Sequence, residues 1–371
     1  MGKSEHTILV LQGGGALGAY QAGAYEKLSE RGKEPAWVAG ISIGATNAAI
    51  ICGNPPERRA ERLRKFWHRV TLGPSCLPWL QGAKARAAYG EMVADTVVFS
   101  GTPGFFRPRL PAAYLPFGAE PPLSYYDTTP LRRTLEDLVD FDYLNASGPR
   151  LSIGAVDLET ANFTYFDSAR MRIGPEHIMA SGALPPGFAP VEIEGRQYWD
   201  GGLVSNTPLQ FVMDNLGADP VCIFQVDVFS ARGEAPKNLV EVALREKDIR
   251  YSSRTRLTTD RYRQLHDIHA AAERLAEKLP EGMQGDPDLA YLRGLRPAAP
   301  ITLVHLIHRK EQFESQAKDY EFSRLSMQAH WNAGAADTLR SLDHAAWKTR
   351  GKGGGLQVFD FCTFPEKGAA A

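Results

Sequence analysis

The 371-residue chain reads as an α/β protein built on a parallel-rich central sheet with helices on both faces. Short apolar runs of strand length alternate with segments of helical period, and the links between them are brief and glycine-rich. Composition points the same way: 43% hydrophobic and 23% charged residues are ordinary globular values, which excludes disordered, collagen-like and coiled-coil chains.

Residues 7–12 (TILVLQ) form a compact apolar run stopped by Gly13, Gly14 and Gly15, the pattern of a buried strand. From Ala16, apolar or small residues recur at Leu17, Tyr20, Ala24 and Leu28, while Glu26, Lys27, Glu30 and Arg31 carry charge, so a helix is expected up to Gly32. A second strand is expected over Trp37–Ile41, then Ser42, then a helix of small residues from Ala45 to about Cys52. Residues 99–126 hold six prolines and seven aromatics, so regular structure is not expected to run through them. They read as an ordered insertion whose aromatics pack onto the body, with a lid or lipid-facing lip as the alternative.

Strand-like runs return at Arg150–Val156, Asn162–Phe166 and Val191–Trp199. Asp200-Gly201-Gly202 follows, then a helix over Pro208–Leu216 and a buried strand over Val221–Val226. A first domain is therefore expected over residues 1–230. Residues 231–371 read as a mainly helical C-terminal extension packed on it: a charged helical stretch over 237–279, a strand at Ile301–Ile307 and an amphipathic helix over 319–342. The tail, with Gly353 to Gly355 and three terminal alanines, is expected to be loosely held.

Forty-two Lys and Arg balance 43 Asp and Glu, so no basic excess exists to neutralise a nucleic-acid backbone. The longest early apolar run, Ile8–Leu11, is far short of the roughly 20 residues of a membrane span. His6 stands where a myristoylation signal has Ser or Thr, and no prenylation cysteine closes the chain. Cysteines 52, 76, 222 and 362 have neither CxxC spacing nor the density of a disulfide scaffold. The expectation is a cytoplasmic chain, free or peripheral to a membrane, with reduced thiols, no transmembrane segment, no metal and no cofactor.

Two motifs and one dipeptide carry chemistry. Gly13-Gly14-Gly15-Ala16-Leu17-Gly18 satisfies GxGxxG between a strand and a helix, which first suggests a dinucleotide turn. The acidic residue that should close the next strand is missing, because Glu34 lies before it. Instead that strand runs into Gly40-Ile41-Ser42-Ile43-Gly44, the pattern of a nucleophile elbow, in which a sharp strand-to-helix turn exposes a serine. A helix N-terminus there aims unpaired amides, Ile43's among them, at charge developing on an attacked carbonyl. The side-chain-free loop Gly13 to Gly15 can approach the same point and supply the rest of an oxyanion hole.

A serine hydroxyl needs a base. Of nine histidines, His266, His269, His330 and His344 fall in charged helical stretches, and His305 and His308 in or after a late strand, where packing roles are expected. His177, before Ser181-Gly182-Ala183-Leu184-Pro185, is the best histidine candidate. Asp200 follows an apolar strand and precedes two glycines, a place where a carboxylate is pinned at a strand end; taken alone, Asp-Gly reads as a hairpin turn. By chance a chain of this composition holds all three patterns about 0.02 times, before order and strand-end placement are required.

On these motifs the chain resembles the patatin-like phospholipase family over roughly residues 7–225, and the SGALPPGFAP stretch from Ser181 is similar too. The resemblance implies a serine acyl hydrolase of patatin-like α/β/α fold that acts on lipid or acyl-ester substrates, in solution or at a membrane surface, without a cofactor. It implies Ser42 as nucleophile, Asp200 as its only side-chain base, and Gly13, Gly14 and Gly15 as the oxyanion loop with Ile43; Gly18, Gly40, Gly44, Gly201 and Gly202 support the motifs. Leu17 departs from the Arg or Lys many members carry there, which bears on head-group preference. The residues themselves leave open an α/β-hydrolase with a Ser-His-Asp triad, a nucleotide-binding oxidoreductase using Gly13 to Gly18, and a partner-binding C-terminal module beside vestigial hydrolysis.

Overall fold

The computed structural model describes residues 5–361 apart from 75–76, 78–79, 81, 111–121, 218, 254, 281–282, 295–299, 310, 312 and 351–354. β1 (His6–Leu11) leads through a 3₁₀ turn (Gly15–Gly18) into α1 (Ala19–Glu30), β2 (Pro35–Gly40), α2 (Ile43–Cys52), α3 (Pro56–Val70) and α4 (Ala83–Ser100). A small ribbon of β3 (Arg107–Pro108) and β4 (Tyr126–Asp127) precedes α5 (Thr129–Leu138), α6 (Phe141–Ala146), β5 (Arg150–Asp157), β6 (Phe163–Asp167), α7 (Pro175–Ser181), β7 (Val191–Ile193) and β8 (Arg196–Asp200). There follow α8 (Leu209–Asp214), β9 (Val221–Asp227), α9 (Leu239–Tyr251), α10 (Thr255–Ala276) and α11 (Pro287–Gly294). β10 (Ile301–Ile307), α12 (Arg324–Asp343), α13 (Ala345–Lys348) and β11 (Leu356–Asp360) complete the described chain.

The central sheet runs β11-β10-β9-β1-β2-β5-β8-β7, with β6 also paired to β5. From β11 to β5 every neighbour is parallel, and β6, β8 and β7 add antiparallel pairs at the far edge. Strands covered on both faces read as near-continuous apolar runs, and the whole of β9 (VCIFQVD) is buried. Alternate residues of β1 feed different cores: Leu9 and Leu11 pack into the cluster containing Leu17, Ile43 and Trp67, while Ile8 and Val10 join Leu209, Val212 and Tyr262. On the first face α1 and α12 cross backbone to backbone: a Cβ on Gly23 would lie 1.9 Å from Trp331 O, and one on Gly334 2.0 Å from Tyr20 O.

The α/β architecture is as expected, with a mainly helical C-terminal region, and that region also supplies β10 and β11 to the sheet. Several details differ from the sequence reading. Val191–Trp199 is a hairpin rather than one strand, because Glu194 (φ 51°) and Gly195 (φ 78°) make a tight turn that its alternating pattern conceals. The last strand of the sheet, Leu356–Asp360, lies in the tail that was expected to be loose; it is held by parallel pairing to β10. The late helix begins at Arg324, capped by the Ser323 hydroxyl, which accepts from the Ser326 amide. Residues 313–322 before it form a strap of turns. Phe99 belongs to α4, not to irregular chain. No helix among the described residues is long and apolar enough to cross a membrane.

Candidate active site

Strand order runs outward in both directions from β1, so the carboxyl ends of β1, β2 and β9 border a crevice at the point where such sheets place ligands. A cavity of about 350 Å³ opens there, bounded by Gly13, Gly14, Gly15, Ser42, Ile43 and Asp200. Its walls are aromatic and aliphatic. The proline-rich insertion contributes Phe105, Phe106 and Tyr126, which pack with Phe188; Phe106 lies 4.9 Å from Tyr126 and 5.3 Å from Phe188, centroid to centroid. Phe105, Phe106 and Tyr126 thus pack onto the body, whereas Phe99 and Tyr125 are exposed, and Tyr114 and Phe117 lie outside the described residues.

Ser42 sits between β2 and α2 with φ 55° and ψ −123°, a strained conformation for a residue with a side chain. The turn is over-determined by its neighbours. Gly44 donates to Ile41 O at 2.8 Å, and the Ser42 amide donates to Ser181 Oγ at 2.9 Å. Ser181 Oγ in turn donates to Gly154 O at 2.7 Å, a buried relay to β5. Gly40 and Gly44 allow the close passage the turn needs, since a Cβ on Gly40 would lie 2.4 Å from Gly44 O and one on Gly44 2.4 Å from Leu11 O.

Asp200 closes β8, where its amide donates to Ala183 O at 3.0 Å. Its carboxylate accepts from the Gly202 amide at 2.7 Å and faces the Ser42 hydroxyl. Burial pushes its pKa up to about 7, against the smaller opposing effects of that amide and hydroxyl. The carboxylate is therefore a stronger base than the group of ordinary pKa near 3.9 that an exposed aspartate would be. Gly201 packs against Gly154 O, holding the turn to β5.

The glycine loop divides its amides. Gly13 donates to Asn206 O at 3.1 Å, and Asn206 Nδ2 returns bonds to Gly13 O (3.0 Å) and Tyr251 O (2.9 Å). The Gly14, Gly15 and Ile43 amides have no acceptor among the described residues. Gly15 is left-handed (φ 53°), and a Cβ there would fall 2.0 Å from Asp319 O, the carbonyl that accepts from Ala16 at 2.8 Å. The strap is thereby stapled onto the loop, and it lines the cavity with Asp319, Tyr320 and Phe322. Gly18 and Ile43 pack together beneath, and Leu17 is wholly buried in the core.

Sequence reasoning did not single out Gln12 or Asn206. Gln12 Oε1 accepts from the Val228 and Phe229 amides (2.7 and 2.8 Å), and its Nε2 donates to Thr207 Oγ1 and Tyr251 O (2.9 and 3.0 Å). A fully used buried amide thus ties the ends of β1 and β9 to α9. The one signal was a polar residue ending an apolar run. His177, by contrast, does not line the cavity: its Nδ1 accepts from the Gly174 amide at 2.9 Å and its ring packs edge-on against Phe166. Burial lowers its pKa. Glu34 is taken up by Arg59 at 2.5 Å and by Tyr25. The His266 side chain lies outside the described residues.

An α/β sheet with a strained serine, a buried carboxyl and an apolar cavity at its switch point defines a hydrolase-type architecture. Comparison with known families makes this specific: a model described as patatin-like phospholipase matches residues 9–213, and one described as patatin phospholipase matches residues 249–353. The chain belongs to the patatin-like phospholipase family and is a lipid acyl hydrolase. Among solved structures it is similar to VipD from Legionella pneumophila, at 14% identity and a TM-score of 0.35 over 88% of this chain and 67% of that one. No curated protein matches.

Proposed function

We propose that the chain cleaves fatty-acyl esters through a two-residue dyad, Ser42 and Asp200, with the Gly14, Gly15 and Ile43 amides as oxyanion donors. Gly13 then acts by positioning the loop, since its own amide is committed to Asn206. Ser42 Oγ attacks the acyl carbonyl while Asp200 takes the hydroxyl proton, and the carbonyl oxygen gathers negative charge among the amides. Collapse expels the alcohol, which takes the proton back from Asp200. Water then gives Asp200 a proton, its oxygen attacks the acyl-serine, and the fatty acid leaves as the proton returns to Ser42. Residues 1–230 carry these groups, and residues 231–371 add the cavity wall at Tyr251 and the strap.

The observation that carries this reading is the Asp200 carboxyl, buried, facing the Ser42 hydroxyl and pushed up to about 7, close to the value at which a general base works best at neutral pH. The apolar cavity suits an acyl chain, and a lipid head group or an alcohol would face its mouth. A fluorophosphonate ester should label the wild type and not Ser42→Ala, and p-nitrophenyl esters and phospholipids should be hydrolysed only by the former. Undiminished labelling of Ser42→Ala, or loss of turnover in His177→Ala with Asp200→Asn still active, would overturn the dyad.

A further inference from the structure

Away from the cavity, three buried side chains from three segments converge with the chemistry of a metal site. His308 follows β10, Glu314 lies on the strap and His330 stands on α12. Glu314 Oε1 is 2.7 Å from His308 Nε2 and 2.9 Å from His330 Nε2. The three donor atoms all lie within 4.8 Å of one another, and no side chain of the three is more than 2% exposed. We propose that these residues bind one divalent transition-metal ion of the zinc type, which fastens the strap to the body of the enzyme.

The donor set selects the ion. Two imidazoles and one carboxylate suit zinc and its neighbours, whereas magnesium and calcium favour oxygen ligands throughout. Zinc bonds of roughly 2.0–2.2 Å put tetrahedral ligand atoms about 3.3 Å apart, so the two oxygen–nitrogen distances need to open by only about 0.5 Å. Hydrogen bonding alone leaves it poorly satisfied. Glu314 Oε2 is buried without a partner among the described residues, an unmet acceptor of the kind that protein interiors avoid. An ion would engage both Nε2 lone pairs and give Oε2 a place in a two-oxygen carboxylate bond.

Room and charge agree. A void of about 10 Å³ touches Glu314, His330, Lys318 and Glu321, the size of a single water that would serve as a fourth ligand. Glu314 supplies negative charge to the ion, and Lys318, which also borders the void, is already paired with Asp248 at 2.6 Å. Phe322 lies eight positions after Glu314, so an ion on Glu314 anchors the segment that walls the cavity.

The test uses the full chain and does not depend on ester hydrolysis. Metal-free protein titrated with cobalt(II) should develop visible absorption bands of low-symmetry nitrogen and oxygen ligation that saturate at one equivalent. Zinc should displace the cobalt and raise the melting temperature. Glu314→Gln and the double variant His308→Asn/His330→Asn, shown folded by circular dichroism, should lose the bands and the shift. Absence of bands in the wild type, or bands of the same intensity in the folded variants, overturns the proposal. Should the variants fail to fold, the wild-type titration still decides: bands saturating at one equivalent support the site, and their absence sinks it.

Discussion

Asp200 and Glu314 are both carboxylates withdrawn from water, one facing a serine hydroxyl in the cavity and the other wedged between two imidazoles at the base of the strap. Burial pushes both upward. For Asp200 only an amide and a hydroxyl oppose it, and the group settles at about 7. For Glu314 the larger burial effect is outweighed by His308 and His330, which hold it far below the usual carboxylate range. Burial therefore does not decide the role of a carboxylate; the groups that face it do. Asp200 faces one amide and one hydroxyl, whereas Glu314 is held between two imidazoles.

Replacing each carboxylate by its amide should split the pair, and the largest effect falls on Asp200. Asp200→Asn is expected to lower kcat/KM by about 10²–10⁴-fold, the usual range for a general base. It should also stabilise the protein above neutrality. A carboxyl raised from about 3.9 to about 7 on folding contributes stability that is complete below about pH 4 and lost as pH rises through 7, up to about 4 kcal/mol. The variant should thus outlast wild type in urea at about pH 8, with the gap shrinking toward pH 4. For the wild type, kcat/KM should fall about tenfold per pH unit below about 7; a flat profile down to pH 5 would show that the essential base is another group.

Glu314→Gln should move stability the other way, by about 3–5 kcal/mol of loss, because it leaves a buried cluster without its charge. Its effect on hydrolysis should reach the cavity only through the strap, raising KM more than it lowers kcat. Urea midpoints of the two variants at about pH 8 check the contrast directly. If both shifts carried the same sign, the groups facing each carboxylate would not be what separates them.

The two regions also differ in how far they could be read from sequence. The elbow and the glycine loop follow strands within three residues, so spacing alone exposed Ser42 and Gly13 to Gly15, and Asp200 stood out by its strand end and paired glycines. What spacing could not hold is the environment. The raised pKa of Asp200 arises from burial by residues far along the chain. Commitment of the Gly13 amide depends on Asn206, 193 positions away. His308, Glu314 and His330 are spaced by 6 and 16 residues across a strand end, a strap and a helix, a pattern without local period. The pairing of β10 beside β9 is equally silent, because an apolar run states that a strand is buried and not which neighbour it takes.

Smaller effects should come where the two regions touch. Gly15→Ala forces a side chain into a left-handed backbone and against Asp319 O, so it should break the Ala16–Asp319 hydrogen bond, costing about 1–3 kcal/mol of stability. Hydrolysis should fall further than stability does, by about 10²-fold, because the same shift disturbs the amide proposed as an oxyanion donor. A loss of stability with turnover intact would assign Gly15 to packing alone.

Phe322→Leu should have the mildest consequence. Phe322 is buried at the end of the strap, lines the cavity and meets Phe105 with centroids 5.7 Å apart. Leucine keeps the contact apolar while opening space where an acyl chain would lie, so stability should fall by about 1 kcal/mol. Selectivity should respond more than rate, since apolar pockets discriminate by about 1–3 kcal/mol per methylene and the new space rewards added length. The ratio of kcat/KM for decanoate over butanoate p-nitrophenyl esters should rise by about threefold to tenfold. An unchanged ratio with an intact fold would place the acyl chain along the Phe105–Phe106–Phe188 wall instead, leaving the strap to hold the glycine loop rather than to measure the substrate.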